Sequence, residues 1–144
     1  MFEKYTPKAR RVIFFARLEV SELGAAAIET EHLILGLLHE NESLLSGFMS
    51  SHGSVDSIRK QVENNIVIYE RIPTSVEVPL SDECKSVLTS AEEEAKRLAH
   101  PCVAPEHLLL GLLCESNSLA ARILNENGVQ FETVRGRLRS VVDE

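Results

Sequence analysis

Two glutamates, Glu31 and Glu106, stand in near-identical surroundings in this 144-residue chain, each directly before a histidine and an apolar run: EHLILGLL at 31–38 and EHLLLGLL at 106–113. A carboxylate in the first turn of an otherwise apolar helix either stabilises the positive helix end or projects toward a cation. Both readings stand on the residues alone. Each half of the chain also has a hydroxyl at the start of a helical pattern, Thr6 before Pro7 and Ser81 before Asp82. The free amides of such a helix start favour an anion. A carboxylate for a guanidinium and an amide cradle for a phosphate would together suit a ligand carrying both groups. His32 and His107 read as imidazoles satisfied within helix packing, since a zinc site needs more ligands at metal spacing than these two supply. Cys84, Cys102 and Cys114 are odd in number and spaced to suit neither a disulfide framework nor paired CxxC ligands. A Cys-His nucleophile pair can be drawn from the composition but falls in no motif. The chain has no GxxxxGK[ST], GxGxxG, HExxH or GxSxG, so no catalytic residue, cofactor or metal of those kinds is expected.

The elements that must position these residues come from a duplication. Shifted by 75, the chain lays residues 31–38 over 106–113 with seven of eight positions identical, and pairs Val12 with Val87, Ala16 with Ala91, Glu19 with Glu94, and Leu23 with Leu98. Beyond Gly128 the offset becomes 76, which aligns Ile58 with Val134. Duplicated units of this size bury apolar faces against each other. Each copy reads as four helices. Thr6 caps the first, Pro7 opens it, and an apolar stripe of helical period runs to a stop near Gly24; its partner starts at Ser81. The second helix starts at Thr30 or Pro105, is apolar nearly all round and belongs at the centre of each half; Gly36 and Gly111 within it imply close helix packing. The third is expected over about Ser43 to His52 and Ser118 to Asn127, with Gly53 and Gly128 as stops. The fourth covers about Val55 to Ile66 and Phe131 to Val142. The expected division is repeat 1 at 1–66, a connector at 67–79 with two prolines and no helical period, and repeat 2 at 80–144.

Composition bounds the function classes. A net charge of -7 argues against a phosphate-tracking nucleic-acid surface. The first twenty residues mix Lys4, Lys8, Arg10, Arg11, Arg17 and Glu19 with apolar residues, so no signal-like or membrane-spanning segment is expected. With unpaired cysteines, a reducing compartment and hence the cytoplasm follows as the expectation.

The opening MFEKYT with ARRV at 9–12, the TEHLILGLL at 30–38, and in the second copy EHLLLGLL at 106–113 with AARIL at 120–124, resemble the paired Clp N-terminal repeats of ClpC-type Hsp100 AAA+ unfoldases over essentially the whole chain. The resemblance implies an all-α fold, a pseudo-twofold bundle of eight helices made of two tandem four-helix Clp-N repeats. It implies a non-catalytic domain that docks adaptor proteins and protein substrates for an unfoldase ring feeding the ClpP peptidase, with no nucleic-acid or membrane partner. The alternative it leaves open is a free-standing accessory protein docking on the Clp machine. It further implies phosphoarginine recognition, one site per repeat, with Glu31 and Glu106 holding the guanidinium and Thr6 and Ser81 the phosphate. The family's usual Gly-Thr-Glu-His is replaced by Glu29-Thr30-Glu31-His32 in the first copy and Ala104-Pro105-Glu106-His107 in the second. Glu29 adds a charge that opposes a phosphate, and Pro105 removes a hydroxyl and an amide.

Overall fold

A computed structural model describes residues 2–50 and 53–143. Among the described residues eight helices follow one another: α1 Pro7–Leu23, α2 Thr30–Glu40, α3 Glu42–Ser46, α4 Val55–Asn64, α5 Asp82–Arg97, α6 Pro105–Cys114, α7 Leu119–Glu126 and α8 Phe131–Asp143. Their starts are chemical. Thr6 Oγ1 accepts from the Ala9 amide at 3.1 Å and Ser81 Oγ from the Cys84 amide at 3.1 Å, so α1 and α5 begin one residue after equivalent hydroxyls.

α2 and α6 form the centre. Leu33, Ile34, Leu35 and Leu37, with Leu108, Leu109, Leu110 and Leu112, are at most 1% exposed, which accounts for their lack of a polar face. α1 packs along α2 and α5 along α6, and α2 and α6 also touch each other. Gly36 and Gly111 are what allow the first two contacts to be so close. A Cβ on Gly36 would lie 2.4 Å from the Val12 carbonyl oxygen, and one on Gly111 would lie 2.4 Å from that of Val87. The same backbone-to-backbone approach thus occurs twice, at positions related by the repeat.

Two parallel backbone bridges show how the halves are joined: Tyr5 with Val103, and Ile28 with Leu80. Adding 75 to Tyr5 gives Leu80, and to Ile28 gives Val103. Each bridge therefore maps onto the other with its partners exchanged, as a two-fold axis requires. The segment between α4 and α5 lies against the end of α1: Tyr69 N–H donates to Leu23 O at 3.0 Å and Ile72 N–H to Ser21 O at 3.0 Å. Arg17 donates to the Thr74 carbonyl at 3.2 Å, and also to that of Val76.

The third helix departs from expectation in the first repeat. α3 ends at Ser46 rather than near His52, which lies outside the described residues, as does Ser51; the stop is at Gly47, not Gly53. Helix propensity is poor across Ser46-Gly47, and Arg137 of α8 donates to the Gly47 carbonyl at 3.1 Å, while its guanidinium covers the Phe48 ring at 4.2 Å. In the second repeat the corresponding residues have no glycine until Gly128, and α7 runs to Glu126.

Candidate functional site

The bridges decide which candidate residues adjoin. Thr6 N–H donates to Val103 O at 2.9 Å and Val103 N–H to Lys4 O at 2.8 Å, so the start of α1 runs beside the extended segment that enters α6 and Glu106. Ser81 N–H donates to Ile28 O at 3.0 Å and Ile28 N–H to Pro79 O at 2.8 Å, so the start of α5 runs beside the extended segment entering α2 and Glu31. The candidate residues thus adjoin across the repeats rather than within each one. Each hydroxyl-bearing helix start adjoins the glutamate-bearing helix of the other repeat, and long-range pairing of this kind leaves no trace in local spacing.

The two places differ in charge. α1 has no acidic residue in its first turn and carries Lys8, Arg10 and Arg11 there or just beyond. α5 begins with Asp82 and Glu83, both exposed. Glu31 is half-buried, with the Thr30 hydroxyl 3.4 Å from its Oε1, and its pKa is raised, first by burial and then by the charges of Glu29 and Glu83. That Glu83 acts on Glu31 also shows the two helix starts to be near neighbours.

His32 and His107 hold the third position of their helices and accept the N-cap amide: Glu29 N–H to His32 Nδ1 at 2.9 Å, and Ala104 N–H to His107 Nδ1 at 2.8 Å. This is half of a capping box, with an imidazole in place of the usual Glu or Gln. An amide can only donate, so in both rings the proton sits on Nε2. Burial lowers the pKa of each to about 4. His107 Nε2 then meets His100 Nδ1 at 2.7 Å. His32 Nε2 is buried with no hydrogen-bond partner among the described residues. The expectation of two satisfied imidazoles thus holds for His107 and for only one nitrogen of His32.

Sequence reasoning missed two polar anchors. Glu94, 1% exposed, accepts from Arg135 Nε at 2.9 Å, from Arg135 at 2.7 Å on its other oxygen, and from Arg97 at 2.7 Å. Its identity with Glu19 across the repeat was the available signal. Asn127, also buried, donates to Gln61 Oε1 at 2.6 Å and to Ile123 O at 2.8 Å, and its carbonyl accepts from the Ser50 amide at 3.1 Å, so it ties the end of α7 to the first repeat. Among the described residues there is no group of three His, Cys, Asp or Glu placed to hold a metal, and no helix long and apolar enough to cross a membrane.

The Clp repeat (R) N-terminal domain family matches residues 4–127 and again residues 79–144, which reflects the duplication. Over 100% of its length the chain is 36% identical to the chloroplastic chaperone protein ClpC of Pisum sativum. Over 94% it is 35% identical to the chaperone protein ClpB of Oceanobacillus iheyensis. It spans 16% and 17% of the lengths of those two proteins. The solved N-terminal domain of the caseinolytic protease associated chaperone ClpD from Arabidopsis thaliana superposes with a TM-score of 0.76 at 26% identity, covering 100% of this chain and 97% of that one. The Hsp104 N-terminal domain from Candida albicans shares the fold, with a TM-score of 0.73 at 20% identity over 94% of this chain and 89% of that one. With a duplicated family match, eight helices related by a two-fold exchange, and this fold shared with Hsp100 N-domains, the chain belongs to the family of Clp repeat N-terminal domains found in ClpC-, ClpA- and ClpB-type Hsp100 proteins.

Proposed function

We propose that this chain is a non-catalytic recognition domain that presents adaptor proteins and protein substrates to a cytoplasmic Clp-type unfoldase ring and its ClpP peptidase, and that it reads phosphoarginine at two composite sites. The observation that carries the second part is the crosswise join: Thr6 with Glu106, and Ser81 with Glu31, each an anion-favouring helix start adjoining a carboxylate. Two of the three thiols argue against a nucleophile, because burial pushes Cys84 up to about 12 and raises Cys114 as well, the reverse of activation.

Charge ranks the two sites. Phosphate beside Ser81 meets Asp82, Glu83 and Glu29, whereas phosphate beside Thr6 meets Lys8 and a first turn of α1 with no acidic residue. The Thr6–Glu106 site is therefore the tighter one, despite Pro105. Calorimetry with free phosphoarginine tests this: two unequal sites, with plain arginine and plain phosphate each far weaker because each satisfies half of the constellation. Glu106→Ala should remove the tighter site, Glu31→Ala the weaker one, and Glu29→Gln should strengthen the weaker one. No heat at about millimolar phosphoarginine from folded protein would end the phosphoarginine reading and leave adaptor docking. A pull-down enriching neither Clp adaptors nor unfolded proteins would end that one too.

A further inference from the structure

The unpartnered nitrogen of His32 has a built-in control in the second repeat. There the equivalent His107 Nε2–H is met by His100 Nδ1 at 2.7 Å. Moving back 75 positions, His100 becomes Ala25. The backbone at the two places is the same. Ala25 N–H donates to Val20 O at 3.1 Å and His100 N–H to Ala95 O at 2.9 Å, and each follows a left-handed residue, Gly24 at φ 68° or Ala99 at φ 59°. Alanine thus deletes a ring without redirecting the chain. In the space beside it lies a cavity of about 160 Å³ lined by Leu23, Ala25, Glu31, His32, Ile66 and Tyr69 among others. His32 is one of its lining residues, 1% exposed, and its buried Nε2–H is costly to leave without an acceptor. Glu31 supplies a carboxylate to the same lining. A water takes about 30 Å³, so the cavity has room for one five-membered ring.

We propose that this cavity is a receptor for an imidazole, the histidine side chain of a partner protein segment, seated where His100 sits in the second repeat and accepting from His32 Nε2–H. The ring's other nitrogen, carrying its proton, would have Glu31 in the wall to donate to. A peptide rather than a free heterocycle is indicated by the rim, where Val67 is 68% exposed, Ile68 54% and Tyr69 64%: a short apolar strip that residues flanking the histidine would cover. The proposal rests on His32 and Ala25; it shares Glu31 with the weaker phosphoarginine site but does not depend on that reading.

The test is nitrogen-resolved NMR of the histidine rings at about pH 8, above the ordinary imidazole titration. The probes are 4-methylimidazole, the tripeptide acetyl-Ala-His-Ala-amide and its Ala-Phe-Ala counterpart. The first two should shift the His32 ring and the Ala25 amide at about 10 mM, leave His107 in place, and lose their effect in Ala25→His, which fills the cavity from within and raises the melting temperature by about 3–6 °C. His32→Glu keeps an acceptor for the N-cap amide but, ionised at this pH, has no N–H to donate, and the Ala25 amide should then no longer respond. Silence of His32 to both imidazole probes overturns the proposal, as does an equal response to the Phe peptide or a response that survives Ala25→His. A response to 4-methylimidazole alone overturns the assignment to a partner side chain.

Discussion

The two repeats share an apolar frame and differ in how tightly polar groups lock it. In the second, Glu94 is clamped by Arg135 and Arg97 and His107 is closed by His100. In the first, the equivalent Glu19 has 15% of its side chain exposed and meets Arg59 at 3.1 Å, and the equivalent His32 keeps one nitrogen unpaired. The second repeat ties its first helix to its last through buried charge, whereas the first leaves solvent access and a cavity beside the segment linking the repeats. Glycine-spaced leucines are enough to set up the frame twice. The polar differences decide which half is rigid and which half offers a place to bind.

The sharpest way to break this contrast is to remove both equivalent glutamates in turn. Glu94→Ala takes the buried carboxylate from Arg135, whose side chain is 22% exposed, while Arg97, 63% exposed, can turn to solvent; losing the charge-assisted hydrogen bonds to Arg135 should cost about 1.5–3 kcal/mol. Glu19→Ala should cost about 1 kcal/mol or less, since Arg59 is 40% exposed and solvent screens the pair. Urea denaturation of the two variants gives both numbers, and equal losses would refute a rigid second repeat.

Comparable in size is a pH effect carried by both histidines. Each has its pKa lowered from 6.5 to about 4 by burial, with the His100 ring adding to the shift at His107 and Glu94 opposing it. The unfolded chain therefore binds more protons than the folded one between those values. Their contribution is complete above about pH 6.5 and is lost as pH falls toward 4, at up to roughly 3 kcal/mol each. Glu94 acts lower on the scale: burial raises its pKa, but Arg135 and Arg97 outweigh burial and the net shift is below 4.5. His32→Gln keeps an acceptor for the N-cap amide, so denaturation midpoints measured from pH 7 to 5 should fall about half as steeply as in the parent chain. An unchanged slope would mean that His32 is not held neutral.

What sequence made legible was local or repeated. Caps at Thr6 and Ser81, the burial of α2 and α6, and the close approach at Gly36 and Gly111 follow from residue type and helical period. The crosswise join of Thr6 to the segment leading to Glu106 does not, because a backbone bridge between Tyr5 and Val103 depends on how the halves turn toward each other. The shortening of α3 was partly legible, since Gly47 is a local stop, but the contact of Arg137 with the Gly47 carbonyl that accompanies it is long-range. The open nitrogen of His32 was in principle readable, since aligning His100 with Ala25 shows a partner present in one repeat and missing from the other. It takes the structure to show that the two residues face the same imidazole.

The smallest expected effect concerns the turn that ends the first helix of each repeat. Both turns place a residue in the left-handed region, Gly24 at φ 68° and Ala99 at φ 59°. An alanine Cβ is crowded against its own backbone there, at a cost of about 1–2 kcal/mol relative to its preferred conformations. Glycine avoids that cost but loses more freedom on folding, about 0.4–1 kcal/mol. Ala99→Gly should therefore stabilise the chain by about 0.5–1 kcal/mol, and because Ala99 is exposed no packing is lost with its methyl group. The reverse change in the first repeat is not its mirror image. A Cβ on Gly24 would lie 2.3 Å from the Glu70 carbonyl oxygen and 2.8 Å from the Tyr69 carbonyl carbon, so Gly24→Ala adds a collision with the linking segment to the left-handed penalty. It should destabilise by more than Ala99→Gly stabilises, and it should loosen Tyr69, whose amide is held by the Leu23 carbonyl. Thermal melts of both variants, with hydrogen exchange at Tyr69 and Ile72, separate the two terms. If Gly24→Ala leaves exchange at Tyr69 unchanged and costs no more than the left-handed penalty, the linking segment is not clamped by that turn and the two helix ends are energetically alike.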